Sequence, residues 1–323
     1  MSDKVIGIDI GGTNLRGALV DSEGNIHKRM KILSQADQGI DKLIDNLANF
    51  IADISKGEKV TNIGVGIPGI TDSKNGIITQ APNIMNVDNY PLRSVLKEKL
   101  GPDLNIVIEN DANSAAVGEW WMGASKDVNS MIMLTMGTGV GGGIVLDGNL
   151  WTGADGMAGE LGHMTIYPDG ARCNCGNYGC LESYASATAI RRMVKEGLQD
   201  GNLNTVLRET TENVHIEDIP RIVMEAASSG EEFSLKIWKE VGVALGIAIA
   251  SLVNLLNIEM VVIGGGVSNA WDLFIDTTYK EAHKRAFRAP MERAKIERGL
   301  LRDDAGILGS AYLALHSSSW KGF

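Results

Sequence analysis

The sequence predicts a two-lobed α/β fold with a metal-bearing loop, on three observations. Two glycine-rich strand-turn-strand units occur, one around Gly11-Gly12-Thr13 and one around Gly137 to Gly143, each opening an alternation of strands and helices. Two turns of one kind, each heading its own αβ half, read as two related lobes facing a cleft. All three cysteines fall between Glu160 and Glu182, in a stretch rich in Gly, Asn and Asp.

The elements follow in order. Lys4–Ile10 is an apolar run ending at Asp9-Ile10, and Leu15–Val20 is a second strand. The DSEGN turn at Asp21–Asn25 leads into a third strand, which makes an N-terminal meander. Ile40, Leu43, Ile44, Leu47, Ile51 and Ile54 recur at helical spacing. Asn62–Pro68 is apolar without alternation, as a strand buried on both faces would be. Pro91–Leu100 reads as a helix with proline at its start. Asn105–Ile108 is a short strand, Asp111–Trp121 an alanine-rich helix, and Met131–Leu146 the second strand-turn-strand unit. After the cysteine loop come helices near Ser186–Lys195, Pro220–Ser228 and Glu232–Asn257. The strand Met260–Ile263 runs into Gly264-Gly265-Gly266-Val267-Ser268; Asp272–Ala286 and Ile307–Leu315 are helical. The expected lobes are residues 1–118, completed by the C-terminal helix within 300–323, and a larger lobe of residues 119–299 with the metal loop.

Bulk properties narrow the function. A chain of 323 residues can bury two cores, and 44% apolar with 22% charged residues is ordinary for a soluble enzyme. A net charge of −10 argues against nucleic-acid or anionic-membrane partners, so a phosphate-bearing ligand must be held by backbone N–H groups and a divalent cation. The apolar stretch Val241–Leu256 is short for a bilayer span. No signal-peptide series follows Met1, and three thiols without a paired framework fit a reducing cytoplasm.

Cys173, Cys175, Cys180 and His163 make a full tetrahedral set for a structural Zn²⁺. Inert or redox thiols are the competing readings. Four protein ligands leave no open position, so the metal would scaffold and not act as a Lewis acid. Glu160 and Glu182 bracket the ligands, and paired carboxylate and imidazole acceptors suit the hydroxyls of a polyol. If one ring nitrogen of His163 takes the metal, the other is left for a sugar hydroxyl.

The turn Gly11-Gly12-Thr13 suits a phosphate, with Asp9 placed to hold Mg²⁺ directly or through water. An ordinary tight turn would look similar, and no Walker lysine follows. Thr138 and Gly139 repeat the logic, and the glycines after Ile263 suit a ribose or base against bare backbone. Glu109-Asn110-Asp111 sits where a strand gives way to a helix. An N-cap is one reading; the other has Asp111 accept the proton of a hydroxyl that attacks a phosphoryl group, with Asn110 on a neighbouring hydroxyl.

DIGGTNLRGALVD, IPG at Ile67–Gly69, ENDANSAAVGE, GTGVGGGIVLDG, GMAGELGH and CNCGNYGCLESYAS, in this order along nearly the whole chain, resemble the ROK family of repressors, open reading frames and sugar kinases. Its bacterial ATP-dependent glucokinase branch stands nearest. The resemblance implies an actin/hexokinase-like (ribonuclease H-like) ATPase fold and phosphorylation of glucose at the 6-hydroxyl, with Asp111 as general base. N-acetylmannosamine kinase or fructokinase activity is the neighbouring alternative, and a non-catalytic sugar-sensing repressor the more distant one. It further implies Gly69, Asn83, Asn110, Glu160, His163 and Glu182 as sugar ligands. Asp9, Gly11, Gly12, Thr13, Thr138, Gly139, Gly265 and Gly266 would surround Mg·ATP, and His163, Cys173, Cys175 and Cys180 would be the zinc ligands. A homodimer or homotetramer without a DNA-reading module is the expected assembly.

Overall fold

The computed structural model describes residues 4–81, 84–85, 87–199, 207–208 and 214–317; Asn83 lies outside them. The chain runs through β1 (Val5–Ile10), β2 (Asn14–Val20), β3 (Ile26–Leu33), α1 (Ile40–Ile54), β4 (Asn62–Ile67), β5 (Ile70–Asp72), β6 (Ile77–Gln80) and β7 (Asp88–Tyr90). Next are α2 (Leu92–Leu100), β8 (Asn105–Asn110), α3 (Asp111–Met122), β9 (Met131–Met136), β10 (Val140–Leu146) and β11 (Asn149–Leu150). The remaining elements are α4 (Glu182–Ala185), α5 (Ala187–Gln199), α6 (Ile219–Ser228), α7 (Glu232–Leu256), β12 (Met260–Gly264), α8 (Trp271–Arg285), α9 (Arg288–Arg293), β13 (Lys295–Arg298) and α10 (Ala305–Leu315).

Two five-stranded sheets repeat one strand order, β3-β2-β1-β4-β8 and β11-β10-β9-β12-β13, and β5-β6-β7 forms a small third sheet. The residues divide into two compact units. One comprises Met1–Met133, Gly142–Gly159 and Gly299–Phe323, the other Leu134–Gly141 and Glu160–Arg298.

In the first unit, β1 pairs antiparallel with β2 and parallel with β4, which pairs parallel with β8. Because both faces of β1 are covered, its side chains are apolar on both sides of the pleat. Ile6, Ile8 and Ile10 belong to a core with Leu43, Leu47 and Phe50 of α1. Val5 and Ala18 belong to a second core with Val117 of α3 and Ile307, Leu308 and Ala311 of α10. The small residues of α10 permit very close approach. A Cβ on Gly64 would lie 1.8 Å from the Ser310 carbonyl oxygen, and one on Gly309 would lie 1.6 Å from that of Ser114. The register sets Asp9 opposite Gly66, Gly66 opposite Glu109, and Ile67 opposite Asn110. The carboxyl ends of the parallel strands thus share one edge, where ligands bind in open α/β sheets.

In the second unit β12 and β13 are parallel, and α7 packs on α8 with Gly242 and Gly246 facing the Phe274 and Thr278 carbonyls. The 25 residues of α7 are long and apolar enough to cross a membrane, yet Val241, Ala244, Leu245, Ala248, Ile249 and Leu252 are buried in the fold. The helix owes its composition to that core. Sequence patterns left β5, β6, β7, β11, β13 and α9 unassigned; their two to six residues are too few to show a period.

Candidate active site

In the first unit, the strand ends of the parallel sheet carry the acidic groups. Asp9, the penultimate residue of β1, stands opposite Arg16, its cross-strand partner. Burial, followed by the negative charge of Asp111, pushes the Asp9 pKa up to about 7, with Arg16 opposing. Next to it the turn closes through Gly11 N–H donating to the Asn14 carbonyl at 2.8 Å. Ser34 holds the turn from behind, donating its N–H to the Thr13 carbonyl and its hydroxyl to the Gly12 carbonyl. Gly12 and Thr13 are exposed, and a Cβ on Gly12 would meet nothing. Nothing therefore obstructs an anion approaching this backbone.

Asp111 opens α3 immediately after β8, so its position is set by the last strand residue. Asn110 is the N-cap, its Oδ1 accepting from Ala112 N at 2.8 Å and Asn113 N at 3.0 Å. Asn110 Nδ2 donates to the Gly69 carbonyl at 3.0 Å, which draws two sequence-predicted sugar residues together. Asn110 is therefore a cap and a cross-link at once.

Glu109, which sequence reasoning passed over, lies beneath this turn and is 1% exposed. Its Oε1 accepts from Asn110 N at 2.8 Å and Asn113 Nδ2 at 3.0 Å, and its Oε2 from Ser73 Oγ at 2.8 Å. Burial raises its pKa and those hydrogen bonds oppose the rise. The signal was available: a carboxylate among the apolar residues of NIVIEN must find several donors or stay neutral. Asn113 Oδ1 is buried with no protein donor among the described residues.

In the second unit the four ligand atoms of His163, Cys173, Cys175 and Cys180 lie within 4.8 Å of one another. His163 Nδ1 is 3.7 Å from Cys173 Sγ, and Cys175 Sγ is 3.8 Å from Cys180 Sγ. Two thiolates bound tetrahedrally at about 2.3 Å from zinc stand about 3.8 Å apart, so the donor set fits Zn²⁺. The loop is built as a miniature hairpin, with bridges pairing Thr165 with Cys180 and Arg172 with Tyr178. Burial pushes the Cys180 thiol up to about 12 and Cys173 upward, while the backbone N–H of Asn177 holds Cys175 below its ordinary value.

The same loop aims the acids. His163 turns Nδ1 to the thiols and Nε2 to Glu160, whose Oε2 is 3.9 Å away. Glu182 begins α4 directly after Cys180-Leu181. Its Oε1 lies 3.7 Å from Cys173 Sγ, and its Oε2 accepts from Val140 N at 3.0 Å. A Cβ on Gly139 would stand 2.3 Å from that oxygen, so any side chain there would push the Glu182 carboxylate aside. Glu182 therefore ties the metal loop to the Gly137–Val140 turn.

That turn closes by Gly137 N–H donating to the Gly139 carbonyl at 2.9 Å. It borders a cavity of about 470 Å³ whose lining includes Gly137, Thr138, Trp238, Gly266, Val267 and Asn269, with Pro220 and Met224 of α6. Thr138 and Gly266 are thereby brought to one space. Gly265, at φ +83°, packs against the Met136 backbone behind it, where a Cβ would lie 2.4 Å from the carbonyl oxygen. The contribution of α6 to this wall carried no motif and was not foreseen.

A profile of the ROK family matches residues 5–317. A glucokinase of Thermotoga maritima is 37% identical over 313 residues, covering 95% of this chain and 96% of that protein. A xylose repressor of Caldicellulosiruptor bescii is 35% identical over 315 residues, covering 95% of this chain and 76% of the repressor. The crystal structure of a ROK family glucokinase from Streptomyces griseus, in complex with glucose and AMPPNP, superposes with a TM-score of 0.81 at 32% identity, covering 97% of this chain and 99% of that one. On its sequence and on its α/β architecture, this chain belongs to the ROK family.

Proposed function

We propose that this chain transfers the γ-phosphoryl group of ATP to the 6-hydroxyl of glucose. Asp111 serves as general base for the attacking hydroxyl. Asn110, Glu160, His163 and Glu182 bind the other hydroxyls, with Gly69 and Asn83 as further sugar ligands. The backbone turns at Gly11–Thr13 and Thr138–Gly139, with Gly265 and Gly266, hold the nucleotide. Mg²⁺ near Asp9 would neutralise charge on the phosphates as it is transferred. Zn²⁺, when bound by His163, Cys173, Cys175 and Cys180, cross-links the loop that carries Glu160 and Glu182. The reading includes a cytoplasmic location and a homodimeric or homotetrameric assembly, as the sequence resemblance to the family implies.

The observation that carries this reading is the Asp9–Asp111 pair. The charge of Asp111 and burial together make Asp9 reluctant to ionise without a counter-cation. Metal-assisted phosphoryl transfer has a use for such a pair, whereas a sugar-sensing repressor has none. A xylose repressor is similar over 315 residues; sensing alone would employ the sugar and zinc residues but not this acidic pair.

The test is ADP release by the purified protein with glucose, N-acetylmannosamine, N-acetylglucosamine, mannose and fructose. Glucose should give the highest kcat/KM. Preference for N-acetylmannosamine or fructose would overturn the choice of glucose, and no turnover with any sugar would overturn the kinase.

A further inference from the structure

At the other end of β4 and β8 from Asp111, the first unit holds a cleft of about 580 Å³. Its lining includes the strand-starting residues Asn62 and Asn105 and three cationic side chains, Lys74, Arg93 and Lys97. In a protein of net charge −10 this is a local reversal of sign.

Arg93 is held by carbonyls only. Its Nε donates to Ile106 O at 2.8 Å, Nη1 to Lys74 O at 2.9 Å and Nη2 to Ser73 O at 2.6 Å. Among the described residues no carboxylate lies within ion-pair distance of Arg93, Lys74 or Lys97. The field of Asp72 reaches Arg93 and Lys74, but its oxygens are engaged by Asn75. Burial holds the Arg93 guanidinium below its ordinary pKa, as expected for a cation that its surroundings do not fully compensate. Asn105 Nδ2 donates to Asn62 Oδ1 at 2.9 Å, which leaves Asn62 Nδ2 as a further donor.

Two lysines on a surface are ordinarily just solvated. Here they border one open cleft together with a half-buried arginine and a fixed amide pair. We propose that this cleft binds a small organic phosphate, with Lys74, Lys97 and Asn62 as donors and Arg93 as a fixed positive charge. The volume is that of a small-molecule site, roughly 300–1,000 Å³, and exceeds what an inorganic anion would fill. Ile106, Val107, Leu315 and Ser317 line the rest of the cleft, and the three apolar residues suit the carbon skeleton of the ligand.

The cleft is also wired to the catalytic turn. Arg93 holds the Ser73 carbonyl, the Ser73 hydroxyl donates to Glu109, and Glu109 accepts from the N–H of Asn110, next to Asp111. Occupancy therefore changes sugar phosphorylation, a consequence that rests on the kinase reading above; binding itself does not rest on it.

The experiment is calorimetry on the full chain with 3-phosphoglycerate and, separately, inorganic phosphate, comparing wild type with the Lys74→Ala/Lys97→Ala double variant. One 3-phosphoglycerate should bind per chain, more tightly than phosphate, and at least about tenfold more weakly in the double variant. Absence of saturable binding, or binding untouched by the double substitution, would overturn the site. Equal affinity for inorganic phosphate would overturn the organic ligand. In a parallel assay, 3-phosphoglycerate should alter KM or kcat for glucose in wild type only, and the variant without ligand should match wild type. Binding without any kinetic change would overturn the coupling.

Discussion

Asp9, partly buried, and Glu109, buried, are carboxylates whose pKa values burial raises, but their surroundings differ. Glu109 has three hydrogen-bond donors and acts as a bracket, fixing Asn110 and Asn113 so that α3 can begin with Asp111. Asp9 faces another acid, and its pKa of about 7 lies above an ordinary 3.8. Because the folded value is the higher one, its contribution to stability is full below about pH 4 and is lost as pH rises through about 7. The loss approaches roughly 4 kcal/mol when no cation is bound. Replacing Asp9 by Asn should therefore stabilise the Mg²⁺-free protein, with a gain that grows between pH 5 and pH 8 in denaturant titrations. A gain independent of pH would contradict this account of Asp9.

At the scale of elements, the loop from Glu160 to Glu182 is organised by its metal ligands more than by regular structure. Its regular structure is limited to one helical turn at Leu161–His163 and two isolated bridges, so its geometry depends on four donors converging. Replacing Cys175 by Ser should lower zinc content and glucose affinity together, by about tenfold or more in affinity, read by metal analysis and calorimetry on one sample. Undiminished affinity in a zinc-free variant would show that the metal does not position the carboxylates. This loop was legible in the sequence because ligand chemistry is written in residue identity and spacing. So were the glycine turns, whose backbone needs leave few alternatives to glycine. Glu109 was harder to see, since its role is defined by Ser73 and Asn113, partners supplied by the turn after β5 and by the first turn of α3. The same holds for α6 beside the Thr138 turn, and for the Lys74–Arg93–Lys97 cleft: tertiary folding brings those residues together and no local pattern announces them. The strands β5 to β7 escaped for want of length.

At the scale of the whole molecule, two sheets with one strand order each present a glycine turn, and the candidate site residues divide between the units. The first unit carries Asp9 and Asp111; the second carries the zinc ligands with Glu160, His163 and Glu182, and a cavity bordered by Thr138 and Gly266. The family includes kinases and repressors on this scaffold, which is consistent with sugar recognition and phosphoryl transfer residing in separable sets of residues. The central claim is that zinc and the second unit's acids serve recognition while the chemistry belongs to Asp111. Its most direct test is Asp111→Asn, assayed in one preparation for zinc content, glucose binding and ADP release. The account predicts bound zinc and glucose affinity close to wild type, with kcat reduced by about 10² or more. Near-normal turnover in that variant would contradict it.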